Sequence, residues 1–145
     1  LASASYTPHQ DGRRFEVSTG STALFAGLAK GAERTLNLGL ENVEHRILSL
    51  TSRLLNLLKN IPNLELLSAR RTGRTPAHSG LISFRIRGIS AKDTVEALRR
   101  RKNILVREVP AYPPGVRASI HYVNLEEEVD QLAEAVRRLA HRSSK

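Results

Sequence analysis

The stretch Val116-Arg117-Ala118-Ser119-Ile120-His121-Tyr122-Val123-Asn124 alternates apolar and polar side chains, then passes straight into a helix-start signal. Successive side chains of a strand point to opposite faces. The alternation therefore predicts Val116, Ala118, Ile120 and Tyr122 on one face and Arg117, Ser119 and His121 on the other. Asn124 is a good N-cap, and Glu127 three residues later completes an N-x-x-E box. A strand with one polar face belongs to a sheet covered on one side only. An arginine on such a frame has two readings. It is either a solvated side chain on an exposed face or a planar fork held rigidly enough to grip a carboxylate.

A second strand repeats the pattern: from Gly80 to Gly88, Ile82, Phe84 and Ile86 face one way and Ser83, Arg85 and Arg87 the other. Shorter strands are expected at Leu64–Ser68 and at Ile104–Val109, the latter ended by Pro110 and the Pro113-Pro114-Gly115 turn. Three helices carry apolar stripes. Val43, Ile47, Leu50, Leu54 and Leu57 recur at four- and three-residue steps over about 40–59, and Pro62 marks the end. Ser90 with Asp93 three residues on starts a helix anchored by Val95 and Leu98. Leu125, Val129, Leu132, Val136 and Leu139 form one face of the last. A weaker helical pattern over 22–38, with Leu24, Phe25, Leu28 and Leu36, sits among small residues and glycines before Gly39.

The order α-α-β-β-α-β-β-α predicts an α+β class, a two-layer sandwich. A small, mainly antiparallel four-stranded sheet is covered on one face by helices. Residues 1–21 are polar, carry Pro8, Gly12 and Gly20, and read as an arm; residues 22–145 read as the domain proper.

The 145 residues suffice for one domain with a real core, and 40% hydrophobic against 26% charged residues place the chain among ordered globular proteins. No apolar run approaches the roughly 20 residues that cross a bilayer. The start lacks a basic segment followed by an apolar core, so no signal peptide is expected. Without cysteine there are no disulfides, thiolate metal sites or cysteine nucleophiles in this chain, which fits a cytoplasmic setting. The five histidines show no i,i+4 pair, so no metal site is predicted. Lys and Arg outnumber Asp and Glu by 23 to 14, with clusters at Arg70/Arg71/Arg74, Arg99 to Lys102, and Arg137/Arg138/Arg142. That surplus suits an anionic partner. With three Tyr and three Phe, though, there is little for nucleic-acid bases to stack on, so a nucleic-acid partner is not favoured. The first residue is not methionine, and the chain reads as part of a longer protein.

Four blocks, in order, resemble one family. Arg13-Arg14-Phe15-Glu16-Val17-Ser18-Thr19 with Gly27-Leu28 resembles the R-F-E-x-G/A-T segment of the class V aminotransferases, the cysteine desulfurase group. Gly39-Leu40-Glu41-Asn42-Val43 with His45-Arg46-Ile47 is similar to that family's G-x-E-x-I-x-x-R-I helix. Ser79-Gly80-Leu81-Ile82-Ser83-Phe84 resembles its S-G-I-V-S-F strand. Val116 to Asn124, with Glu127-Glu128-Val129, resembles its V-R-x-S-x-H-x-Y/F-N-x-x-x-E-V ending.

The resemblance implies a pyridoxal-phosphate enzyme of fold type I. This chain would be its C-terminal small domain together with the last segment of the large domain. It further implies that Arg117 grips the substrate's α-carboxylate. Arg107 would be a second carboxylate contact, as in the cystine lyase branch. Thr19 would reach the cofactor phosphate of the opposite subunit in a homodimer. Cystine or cysteine C–S lyase is the preferred branch, with desulfurases and epimerases close by. Ser18 and Gly20-Ser21 depart from the family pattern around Thr19. The lysine that carries the cofactor has no counterpart among Lys30, Lys59, Lys92, Lys102 and Lys145, so the chain alone should be inactive. Two other readings stand beside this one: a basic nucleic-acid-binding module using Arg85, Arg87 and the Arg70–Arg74 loop, and a non-catalytic structural domain of the same fold.

Overall fold

The computed structural model describes residues 7–15, 20–68, 79–110 and 113–142. The chain divides into two compact units, Leu1–Asn37 and Leu38–Lys145. In the first, a short 3-10 turn at Gly12–Phe15 places the Arg13 guanidinium on Asp11 (2.7 Å) and the Arg14 guanidinium over the Phe15 ring. Helix α1 follows at Thr22–Leu38 and buries none of its residues. Leu24, Phe25, Leu28 and Leu36, which the pattern offers as an apolar face, all stand exposed.

The second unit holds α2 (Leu40–Leu58), β1 (Leu64–Leu66), β2 (Leu81–Ile86), α3 (Ala91–Lys102), β3 (Arg107–Val109), β4 (Gly115–Ser119) and α4 (Glu126–Arg142). Its four strands form a sheet in the order β1-β2-β4-β3, antiparallel throughout. One core joins Ile82, Phe84 and Ile86 of β2 and Val116 and Ala118 of β4 to Leu50, Leu54 and Leu58 of α2, Leu98 of α3, and Val129, Leu132 and Val136 of α4. The helices thus cover one face of the sheet, as the alternation in β2 and β4 requires. The α+β two-layer fold read from the sequence is the fold observed.

Several boundaries move, each for a local reason. The α2 stripe turns so that Leu58, rather than Leu57, is fully buried with Leu50 and Leu54. β1 stops at Leu66 because Leu67 and Ser68 both donate their backbone N–H to the Ser83 carbonyl (2.8 and 3.2 Å), which makes a β-bulge. β3 begins only at Arg107, although Ile104 and Val106 still pack on the core. β4 ends at Ser119, so His121 and Tyr122 lie in a turn with their rings 4.3 Å apart instead of continuing the alternation. Leu125 precedes α4 and is exposed.

The α4 start also differs from the N-x-x-E reading. Glu128, not Glu127, caps the helix: its carboxylate accepts from the Leu125 N–H (3.0 Å) and from the Asn124 side-chain amide (2.9 Å). Asn124 Oδ1 is turned back to accept from the His121 N–H (2.8 Å), closing the turn after β4. Ser90 caps α3 as expected, accepting from the Asp93 N–H at 3.0 Å.

Two glycines are needed where they stand. Gly39 has φ 83°, a left-handed conformation that a side chain would strain, and it separates α1 from α2. Gly80 lies so close to the Ile120 carbonyl that a Cβ there would overlap that oxygen. Its own carbonyl accepts from the Ile120 N–H (2.6 Å), joining the ends of β2 and β4. Gly80→Ala is therefore expected to lower stability by about 1–3 kcal/mol, the usual cost of overpacking, measurable by urea denaturation.

Candidate functional site

The sheet face away from the helices carries the candidate site. Burial of Val116 and Ala118 in the core forces Arg117 between them onto the opposite face. The register then sets its neighbours: Arg117 stands opposite Ser83 of β2 on one side and opposite Arg107 of β3 on the other. Residues directly opposite in an antiparallel pair have Cβ atoms about 4.5–5.5 Å apart, and like charges so placed repel. The structure therefore brings the two sequence-predicted arginines together in one row.

Neither is neutralised locally. Arg107 is exposed, Arg117 half-buried, and among the described residues neither makes an ion pair. Arg85, two residues along β2 from Ser83, shows the contrast: its guanidinium donates to Glu65 of β1 at 2.8 and 3.0 Å. Arg117 Nε is buried and has no hydrogen-bond partner among the described residues. An unsatisfied donor of this kind costs about 1–3 kcal/mol, so an anion reaching it would recover a real penalty. Beside the row, the Ser68 hydroxyl accepts from the Ser83 N–H at 2.6 Å and fixes the bulge at the edge of the face.

The turn after β4 is held by a residue whose part the sequence pattern did not disclose. Arg46 of α2 donates to the Asn124 carbonyl (2.9 Å) and to both oxygens of Glu126. Two turns further along α2, Arg53 makes a two-point contact with Asp130, both bonds 2.7 Å. Arg46 thus anchors the segment that follows Arg117. Its place in the R-I block was the available signal, but helix position alone could not show which carbonyl it would meet.

The hydrogen bond from Arg46 depresses the Glu126 pKa from 4.5 to about 2. A carboxylate with a depressed folded-state pKa adds stability that is fully present above its unfolded pKa and is lost as pH falls toward the folded value. The thermal midpoint of the wild type should therefore exceed that of Glu126→Gln at neutral pH. The gap should close between pH 4.5 and about 2, as a pair of melting series would show.

Thr19 lies outside the described residues, as do Glu16 to Ser18 and the Arg70–Arg74 loop. Lys30 and Lys59 are tied to Glu33 (2.7 Å) and Asn56 (3.2 Å), and Lys92 and Lys102 lie on α3. Lys59 at the end of α2 and Lys92 and Lys102 of α3 belong to helices and not to the strands of the open sheet face. Among the described residues, the row offers guanidinium donors, a set chemically suited to an anion. No helix of the described residues is long and apolar enough to cross a membrane.

The profile described as Aminotransferase class-V matches residues 2–132, and the chain belongs to that family. A cysteine desulfurase of Synechococcus elongatus is 33% identical over 139 residues, covering 87% of this chain and 21% of the relative. A probable cysteine desulfurase of Methanothermobacter thermautotrophicus is 27% identical over 140 residues, covering 88% of this chain and 34% of the relative. Among solved structures, the cystine C–S lyase C-DES in complex with its product cysteine persulfide superposes with TM-score 0.72 at 26% identity, covering 87% of this chain and 32% of that one. A C-DES variant with glycine covalently linked to the PLP cofactor gives 0.73 at 26% identity, covering 87% and 31%. The apo cysteine desulfurase of Thermococcus onnurineus gives 0.75 at 25% identity, covering 94% and 35%. The chain thus spans between a fifth and about a third of the length of the curated relatives it matches.

Proposed function

We propose that this chain is the C-terminal portion of a pyridoxal-phosphate-dependent enzyme that acts on an amino acid, of the cystine/cysteine C–S lyase or desulfurase type. Residues 1–21 would close the large domain and residues 22–145 form the small one. The observation that carries the reading is the cross-strand row in which Arg117, its Nε buried and unpartnered, stands opposite Arg107, with no ion pair to either among the described residues. Arg117 holds the α-carboxylate through its planar fork, and Arg107 offers a second contact from the neighbouring strand. Fixing the carboxylate fixes the rotation of the amino acid about Cα, and with it which bond is aligned to break. Pyridoxal phosphate, bound mainly by the large domain upstream of this chain, supplies the electron sink for that bond. Thr19 touches the cofactor phosphate across a homodimer, on the strength of the motif alone, and the enzyme works in the cytoplasm.

The nucleic-acid reading loses one of its phosphate contacts, because Arg85 is engaged with Glu65. The test uses the full-length protein: pyridoxal phosphate is added, the visible absorbance of the bound cofactor is recorded, and cystine, cysteine and other amino acids are screened for sulfide, persulfide and keto-acid release. Cofactor uptake with turnover of a sulfur amino acid supports the proposal. Absence of uptake removes the enzyme reading, and uptake with turnover only of sulfur-free amino acids removes the branch.

A further inference from the structure

Two of the basic clusters, Arg99 to Lys102 and Arg137 to Arg142, are far apart in sequence and unrelated to the arginine row. The fold brings members of both to one place. Between the C-terminal ends of α3 and α4 lies a hollow of about 430 Å³, floored by Ala97 and Leu98 of α3 and Ala135 and Leu139 of α4. Its rim is made by Lys102, Arg138, His141 and Arg142, and among the described residues no carboxylate lines it. Arg138 donates to Glu134 (2.8 Å), whereas Lys102, His141 and Arg142 make no ion pair among the described residues.

Basic side chains in the last turn of a helix complement its dipole, which accounts for their presence. It does not account for an apolar floor left open to solvent between two such ends. The volume falls within the range of small-molecule sites, which are apolar pockets with a few polar groups at defined positions. An apolar pit with a cationic mouth selects a ligand with the reverse order, an apolar body ending in an anion. We propose that the hollow between α3 and α4 is a binding site for a single-chain carboxylate amphiphile, the alkyl chain on Ala97, Leu98, Ala135 and Leu139 and the carboxylate at Lys102 and Arg142. A flat acidic protein surface would reach the rim but leave the pit empty, so the small amphiphile is the better-matched occupant.

Calorimetric titration of the full-length protein with laurate, below its micelle concentration, tests this against two probes of equal chain length, dodecanol and dodecylammonium. Saturable binding of one laurate per chain is expected, tighter than either probe by about tenfold or more, the scale of one charge-assisted contact. Ala97→Leu, which fills the pit, and the double variant Lys102→Glu/Arg142→Glu, which reverses the mouth, should each weaken laurate by a similar factor with the circular dichroism spectrum kept. If Ala97→Leu fails to fold, the charge reversal decides. Absence of saturable binding, equal affinity for dodecylammonium, tighter binding of an acidic amphipathic peptide, or wild-type affinity in the folded variants would each overturn the proposal.

Discussion

Arg117→Ala in the full-length enzyme is expected to lower kcat/KM for the amino-acid substrate by about 30- to 1,000-fold, corresponding to roughly 2–4 kcal/mol for a lost charged, two-point contact. Arg117→Lys should fall between this variant and the wild type, because a point charge replaces a planar fork. The structure adds a discriminating stability readout. Arg117 Nε is buried without a partner among the described residues and Arg117 faces Arg107 across the ladder, so the native arginine stabilises the fold little. Arg117→Met should keep, or raise, the thermal midpoint while activity falls. A loss of stability that parallels the loss of activity would make Arg117 a structural residue instead.

Phe84→Ala should produce the largest loss of stability. Phe84 is fully buried at the centre of β2, paired with Leu66 of β1 and Val116 of β4, and belongs to the core shared by α2, α3 and α4. Truncating a buried phenylalanine costs about 3–5 kcal/mol. Domains of this kind hold only about 5–15 kcal/mol in total, so a sharply lowered urea midpoint is expected. Leu81→Ala on the same strand, whose side chain is half exposed, should change the midpoint little. Because β2 also flanks β4, Phe84→Ala should loosen the Ser83–Arg117 pairing and impair substrate binding at temperatures where the wild type is unaffected.

What could be read in the residues was whatever periodicity controls. The alternations Ile82/Phe84/Ile86 and Val116/Ala118 fixed which sheet face is buried, and with it the outward direction of Arg117. Termination was less legible. The same alternation runs on through Ile120 and Tyr122, yet the backbone turns after Ser119, where Asn124 folds back on the His121 N–H. The capping carboxylate was misplaced by one residue because Glu126, Glu127 and Glu128 are adjacent, and only the turn geometry selects Glu128. The apolar pattern of α1 was visible, but not that Leu24, Phe25 and Leu28 would stand exposed. For the candidate site, the motif supplied Arg117 and Arg107, while their placement directly opposite one another depends on the strand register set across the five residues 110–114 between β3 and β4. The hold of Arg46 on Asn124 joins residues 78 apart, and the R-I block that contains Arg46 does not show which carbonyl it meets.

The central claim is that Arg117 recognises a carboxylate, and the most direct measurement removes that group from the ligand instead of from the protein. Binding of the best amino-acid substrate and of its decarboxylated amine should be compared in the full-length wild type and in Arg117→Ala. The wild type is predicted to prefer the carboxylated form by about 30-fold or more, and the preference should collapse in Arg117→Ala. An unchanged preference in the variant would contradict the account.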